Sequence, residues 1–203
     1  MAPAANAEAS LAGTRLSPAD GGNLNRAFPW DERVARLARG FGLARCLFFR
    51  GVETGSMPAA ASRLGVARLS AEIGGGAETS QELVRLCRDG MLSCLAGLDM
   101  VDAHHAMPGP LEAFHDVDAP RASMRADAPG VFIPSVALGQ QVAAGQQVGT
   151  LCEPARPDRP PLTLASPQDG TVVCLRALAR SDDGDCLLQI APARPFETLS
   201  TLY

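Results

Sequence analysis

Lysine is missing altogether: every one of the 18 basic residues is arginine. With no ε-amine, Schiff-base chemistry, pyridoxal phosphate anchoring, biotinyl or lipoyl attachment and a P-loop lysine are all excluded. Aromatic residues make up only 4%, with one Trp and one Tyr, so the core is expected to be built from Ala, Leu, Val and Ile. An excess of positive charge is also absent. The formal net charge is -4, which gives no electrostatic pull toward nucleic acid. No apolar run approaches the ~20 residues that span a bilayer. The N-terminal residues Met1 to Glu8 show neither a basic segment nor an apolar one of the signal-peptide kind. The expectation is a soluble cytoplasmic protein with neither nucleic acid nor membrane as partner.

Six cysteines stand at 46, 87, 94, 152, 174 and 186, and no two form a CxxC pair. Neither a zinc ribbon nor a thioredoxin-type site is indicated. Free Cys acting as small core hydrophobes is the reading for all six, with Cys87 and Cys94 on one buried helix face. What the chain does have is 46% hydrophobic residues against 20% charged, the balance of a folded protein.

The first 30 residues are dense in Pro, Gly, Asn and Asp and read as loop. Asp31 then caps a helix with Val34, Leu37, Ala38 and Phe41 on one face and Arg33, Arg36 and Arg39 mostly opposite. Cys46 to Phe49 reads as a strand, Ser56 caps a short helix with Pro58 in its first turn, and Val66 to Ile73 reads as a second strand. Strand, helix, strand predicts a βαβ unit with parallel pairing. Thr79 and Glu82 form a capping box for the longest helix, whose buried stripe is Leu83, Cys87, Met91, Cys94 and Leu98. Gly90 within it costs ~1 kcal/mol against Ala, which points to close packing there.

From about residue 102 to 120 the chain is rich in His, Asp and Pro and aperiodic, and it reads as a linker. Beyond it come short strands around Val131, Val142, Val148, Leu162, Thr171 and Cys186, punctuated by Gly130, Gly139, Gly145, Gly149, Gly170 and Gly184. The run Leu138 to Gly149, followed by Ala165 to Val172, resembles the barrel-sandwich of biotinyl and lipoyl carriers. Without Lys it can only be an accessory or interface module.

The chemistry-bearing stretch is Asn23-Leu24-Asn25-Arg26-Ala27-Phe28-Pro29. An amide beside a guanidinium fork in a loop held by Gly and Pro suits a carboxylate, and Arg15 adds a second cation. A plainly solvated Arg loop would look the same by composition. Gly13-Thr14-Arg15, Ser17-Pro18, Asp20-Gly21, the Asn23 to Pro29 run and Arg68-Leu69-Ser70-Ala71-Glu72-Ile73-Gly74-Gly75-Gly76 together resemble the succinylglutamate desuccinylase/aspartoacylase family. Within it the likeness is greatest to the bacterial branch that includes N-acetyl-diaminobutyrate deacetylases.

The resemblance implies zinc-dependent hydrolysis of a small N-acyl amino acid on an α/β fold. That fold would be a shortened carboxypeptidase-like α/β domain over residues 1–119, linker included, followed by a small all-β barrel-sandwich domain and tail over 120–203. It assigns Arg26 to the substrate carboxylate, Arg15 and Asn25 to orienting the acyl-amino acid, and Glu72 to general acid/base catalysis. Glu72 also stands just before a glycine turn at a strand end, where partial burial would raise its pKa toward a useful range. An edge carboxylate facing water is the plainer alternative.

The family's zinc ligands come from a His-x-x-Glu motif and from a His in an Asp-Leu-His segment. Neither motif occurs here, and Pro29 leads almost directly into Asp31-Glu32. His104 and His105 are adjacent and are expected to point apart. His115 with Asp116 and Asp118 is a partial set inside the linker, where a solvated acidic segment is the better account. No metal ligand set is therefore expected in residues 1–203, and hydrolysis is not expected of this polypeptide. The alternative function is a non-catalytic carboxylate-binding or assembly protein. The sheet edges left by the missing strands point to self-association as a homo-oligomer.

Overall fold

The computed structural model describes residues 32–49, 55–71, 73–74, 79–107, 109, 111 and 113–201. Contacts divide the chain into two compact units. One comprises residues 1–44, 49–112 and 196–203, the other 45–48 and 113–195. The division thus falls at 112/113, and a piece of the early chain joins the second unit.

Among the described residues the first unit is helical. α1 (Glu32–Phe41) buries Val34, Ala35 and Ala38, while Arg33 and Arg36 are exposed on its outer side. The arginines are not idle. Arg33 donates to the Gly65 carbonyl at 3.1 Å and Arg36 to that of Gly97 at 3.3 Å, and the Arg39 guanidinium lies 4.7 Å from the centre of the Phe196 ring. α2 (Met57–Arg63) starts as its sequence predicts, with the Ser56 hydroxyl accepting from Ala59 N at 3.3 Å and Pro58 buried in the first turn. The expected strand over Val66 to Ile73 is not formed: its described residues carry no regular structure, and Val66 is 55% exposed. Its described side chains are exposed or half-covered, too little apolar burial to fix a strand there.

α3 (Gln81–Ala96) begins one residue later than the capping box requires. Ser80, in extended conformation, is the N-cap, and its hydroxyl accepts from Leu83 N at 3.2 Å. The Thr79/Glu82 box is therefore replaced by a simple Ser cap, because Ser80 is one residue closer to the first helical turn. Ser80→Ala is expected to cost about 1 kcal/mol by urea unfolding, and Thr79→Ala or Glu82→Ala less than about 0.5 kcal/mol. Equal losses at Thr79 and Glu82 would restore the capping box.

The buried line of α3 is also shifted. Gly90, Ser93 and Ala96 are buried, whereas Leu83, Cys87, Met91 and Cys94 are half-covered and Leu98 is 47% exposed. Two contacts pull the helix round. The Ser93 hydroxyl accepts from Met107 N at 2.8 Å, and Gly90 admits the Phe41 ring so closely that a Cβ there would lie 2.7 Å from Phe41 Cε1. The mid-helix glycine does serve close packing. The Cys94 thiol donates to the Leu37 carbonyl at 3.3 Å, tying α3 to α1 a second time.

The second unit holds three sheets. β1 (Leu47–Phe48) pairs in parallel with β2 (Ala113–Asp116), and β11 (Ala193–Pro195) pairs antiparallel on the other side of β2. The linker expected over 102–120 therefore contains a central strand. Phe48 and Phe114 are both fully buried, with ring centres 5.3 Å apart in an edge-to-face contact. Each buried Phe is worth roughly 1.5–3 kcal/mol, ample reason for two short strands to pair. The expected partner of the first strand, Val66 to Ile73, is replaced by one far along the chain.

The remaining strands are β3 (Ser123–Arg125), β4 (Gly130–Pro134), β5 (Gln141–Val142), β6 (Gln147–Cys152), β7 (Leu162–Ala165), β8 (Gly170–Leu175), β9 (Arg180–Ser181) and β10 (Cys186–Ala191). They form two four-stranded antiparallel sheets of order β3-β10-β8-β5 and β7-β6-β4-β9. Both sheets feed one core that includes Phe132, Val142, Val148, Leu151, Val172, Leu187, Leu188 and Ile190. The expectation of a core without aromatics is corrected: Phe48, Phe114 and Phe132 are among the largest fully buried side chains. Scarcity of Phe says nothing of where each one goes.

Candidate functional site

Arg15, Asn25, Arg26 and Glu72, the four residues singled out for substrate binding and catalysis, lie outside the described residues. The chain on either side of position 72 is described. Ala71 is exposed, Ile73 is half-buried and Gly74 has φ +95°, a left-handed turn that favours glycine. Four residues earlier, Arg68 is half-buried, and burial pulls its guanidinium pKa down. Next to this segment α3 presents an open hollow of about 330 Å³ lined by Ile73, Thr79, Leu83, Val84, Cys87, Arg88 and Met91. The one cation among its described lining residues, Arg88, is turned to its neighbour, with Nη2 2.7 Å from Asp89 Oδ1.

The three histidines occupy two places. His104 and His105 lie in a 3₁₀ turn (Ala103–His105) capped by Asp102, whose Oδ1 accepts from His104 N at 3.1 Å and pairs with His104 Nδ1 at 3.0 Å. These bonds hold the Asp102 carboxyl below the usual carboxylate range. The two rings do not point apart: their centres are 3.8 Å apart, one tilted over the other. A 3₁₀ turn brings consecutive side chains closer than a strand would.

His115 is the centre of a cluster that composition alone disguised. It sits in β2 at 8% exposure, and its buried Nδ1 has no hydrogen-bond partner among the described residues. Burial and the nearby Arg45 charge hold its imidazole below the ordinary value, so it is neutral near pH 7. Beside it Asp116 is completely buried, with Oδ2 3.4 Å from Arg194 Nε on β11. The partial set His115, Asp116 and Asp118 is thus not a solvated acidic segment, since two of the three are inside the sheet. Asp116 instead faces Arg194 across the β2–β11 pairing. The signal available in sequence was the apolar spacing of Leu111, Phe114 and Val117 through an otherwise polar run.

Zinc, which the resemblance implies, finds no fit in this part of the molecule. Among the described residues no group of three His, Cys, Asp or Glu side chains is placed to hold a metal ion. All three histidines of the chain are included in that statement, and they are divided between an exposed turn and a buried strand. The cysteines add no ligand set: Cys46 is buried, with its thiol pushed up to about 12 by desolvation. Among the described residues no helix is long and apolar enough to cross a membrane.

No protein-family model matches the sequence. The chain is similar to the N-alpha-acetyl-L-2,4-diaminobutyric acid deacetylase of Halomonas elongata, at 22% identity over 243 residues, covering 94% of this chain and 71% of that protein. The matched region is longer than the 203 residues of this chain, so the relative carries segments inside it that this chain lacks. Among solved structures, a succinylglutamate desuccinylase/aspartoacylase from Rhodobacter sphaeroides superposes with a TM-score of 0.78 at 19% identity, over 94% of this chain and 73% of that one. The product-bound ectoine utilization protein EutE (DoeB) from Ruegeria pomeroyi follows at 0.76 and 17%, over 92% and 72%. These likenesses establish a mixed α/β fold of that kind. The chain is thus similar in sequence to one deacetylase and in fold to solved structures described as succinylglutamate desuccinylase/aspartoacylase proteins, as the resemblance read from the sequence implies.

Proposed function

We propose that residues 1–203 recognise a small N-acylated amino acid through its carboxylate and do not by themselves hydrolyse it. The observation that carries the ligand class is the match to an N-acetyl-diaminobutyrate deacetylase along 94% of the chain. Arg26 takes the carboxylate, Arg15 and Asn25 orient the acyl-amino acid, and Glu72 stands at the scissile amide. The non-hydrolytic half rests on the sequence, which holds neither a His-x-x-Glu nor an Asp-Leu-His motif. Zinc supplies an activated water in the family; with no ligand set among the described residues, no step is routed through it here. The two four-stranded sheets support a barrel-sandwich reading of the second unit, as an accessory or interface module that carries no attached group.

Calorimetry with N-acetyl-2,4-diaminobutyrate and N-succinylglutamate, with and without added zinc, tests this. Weak binding without turnover is expected. A charge-assisted hydrogen bond contributes ~1.5–3 kcal/mol, so Arg26→Ala should weaken binding roughly 10- to 150-fold. Hydrolysis that is lost in Glu72→Gln would establish a working enzyme and overturn the non-hydrolytic half. Binding indifferent to Arg26→Ala would overturn the carboxylate clamp.

A further inference from the structure

The deacylase reading makes no use of the three-stranded sheet β1-β2-β11, and the central strand of that sheet carries a buried base. His115 stands in register with Leu47 of β1 on one side and Ala193 of β11 on the other. Its backbone N–H donates to the Cys46 carbonyl at 2.8 Å, so it sits where β1 is joined to β2. The ring is enclosed at 8% exposure, and its Nδ1 meets no hydrogen-bond partner among the described residues. A neutral ring leaves one acceptor unmet there. A protonated ring turns the same nitrogen into a charged donor with nothing to receive it, which costs far more. Opening to water relieves that cost.

The charges around the ring do not offset it. On the β1 side stands Arg45, next in sequence to Cys46, with its guanidinium so close to the turn at Gly139 that a Cβ there would lie 2.7 Å from Arg45 Nη1. On the β11 side the residue in register, Ala193, carries no charge. Asp116 is adjacent in β2 and so belongs to the opposite face, where its Oδ2 lies 3.4 Å from Arg194 Nε. Asp118 is past the end of the strand and exposed. Burial first, and then the Arg45 charge, hold the imidazole below its ordinary value, so the closed sheet binds fewer protons than the open one. The sheet is therefore most stable above about pH 6.5 and loses stability as the pH falls below that value. The other two histidines lie in the 3₁₀ turn of the first unit, and the two four-stranded sheets contain none.

We propose that His115 is an acid-sensitive latch: proton uptake by its ring below about pH 6.5 opens β1 and β11 from β2, while the two four-stranded sheets stay closed. Opening takes up one proton at the imidazole and breaks two backbone hydrogen bonds between β1 and the β2 segment. These are His115 N–H to Cys46 O at 2.8 Å and Val117 N–H to Phe48 O at 3.2 Å. It also uncovers Phe48 and Phe114, both fully buried in the closed sheet.

The test is hydrogen exchange on the full chain, read by mass spectrometry at pH 7.5 and pH 5.5 and corrected for the intrinsic rate at each pH. Uptake of a single proton raises the opening constant by at most about tenfold between these values. Peptides covering 46–48 and 114–117 should therefore exchange about 3- to 10-fold faster at pH 5.5, and those covering β4, β6, β8 and β10 at an unchanged rate. In His115→Gln, which takes up no proton, the difference should vanish, whereas in His104→Gln and His105→Gln it should remain. If His115→Gln does not fold, proton NMR of the unsubstituted protein decides, because the His115 ring should titrate below about 6.5. Equal corrected rates at the two pH values, acid loosening that persists in His115→Gln, loosening spread over the four-stranded sheets, or a His115 ring titrating at or above about 6.5 would each overturn the proposal.

Discussion

Replacing Phe132 by Ala should unfold the second unit at markedly lower denaturant. Phe132 stands in β4 opposite Leu151 of β6 and is 1% exposed. Its ring also covers Gly149 on the neighbouring strand, where a Cβ would lie 2.7 Å from Phe132 Cε2. Removing the ring therefore opens a cavity among Val148, Leu151 and the rest of the core, and uncovers a glycine that has no side chain to fill it. The expected loss is about 3–5 kcal/mol, or on the order of 10 °C in Tm. Ile133, next in the same strand, is 52% exposed, and Ile133→Ala should cost less than about 0.5 kcal/mol. Chemical denaturation with unchanged m values for both variants reads this directly. A Phe132→Ala loss under about 1 kcal/mol would mean that the two sheets do not share the core described.

The second large effect concerns a glycine. Gly130→Val should cost about 2–3 kcal/mol, because even a Cβ at that position would lie 2.5 Å from the Cys152 carbonyl oxygen, a backbone atom of the paired strand. A flexible side chain could swing away; a carbonyl in the ladder cannot without breaking the β4–β6 pairing. Gly145 makes the contrast. It has φ +80° with nothing within 4 Å of a Cβ, so Gly145→Ala should cost only the left-handed conformation, roughly 1–2 kcal/mol. The order of the two losses, measured by thermal melting, separates close approach from turn geometry. If the two substitutions cost the same, β4 does not run against β6 as described.

The absence of lysine, the three histidines and the run from Asn23 to Pro29 are facts of composition and order, and no folding changes what they exclude. One helix start and one close-packed helix position were legible for the same reason, while the cap of α3 was misplaced by one residue. Ser56 before a helix with Pro58 in its first turn, and a mid-helix Gly90 that implies close contact, are local signals whose physics acts within a few residues. The resemblance to deacylases was legible in the Arg15 to Pro29 and Arg68 to Gly76 stretches, and the chain is similar to a deacetylase at 22% identity.

Partnership across the chain was not legible. Nothing near Leu47 specifies that its partner is His115, since parallel pairing is selected by which apolar side chains meet, here Phe48 and Phe114. The polar residues around that strand hid it, and His115 and Asp116 looked solvated until the sheet closed over them. The same holds for Gly130, which reads as a turn residue and is a strand residue pressed against a carbonyl.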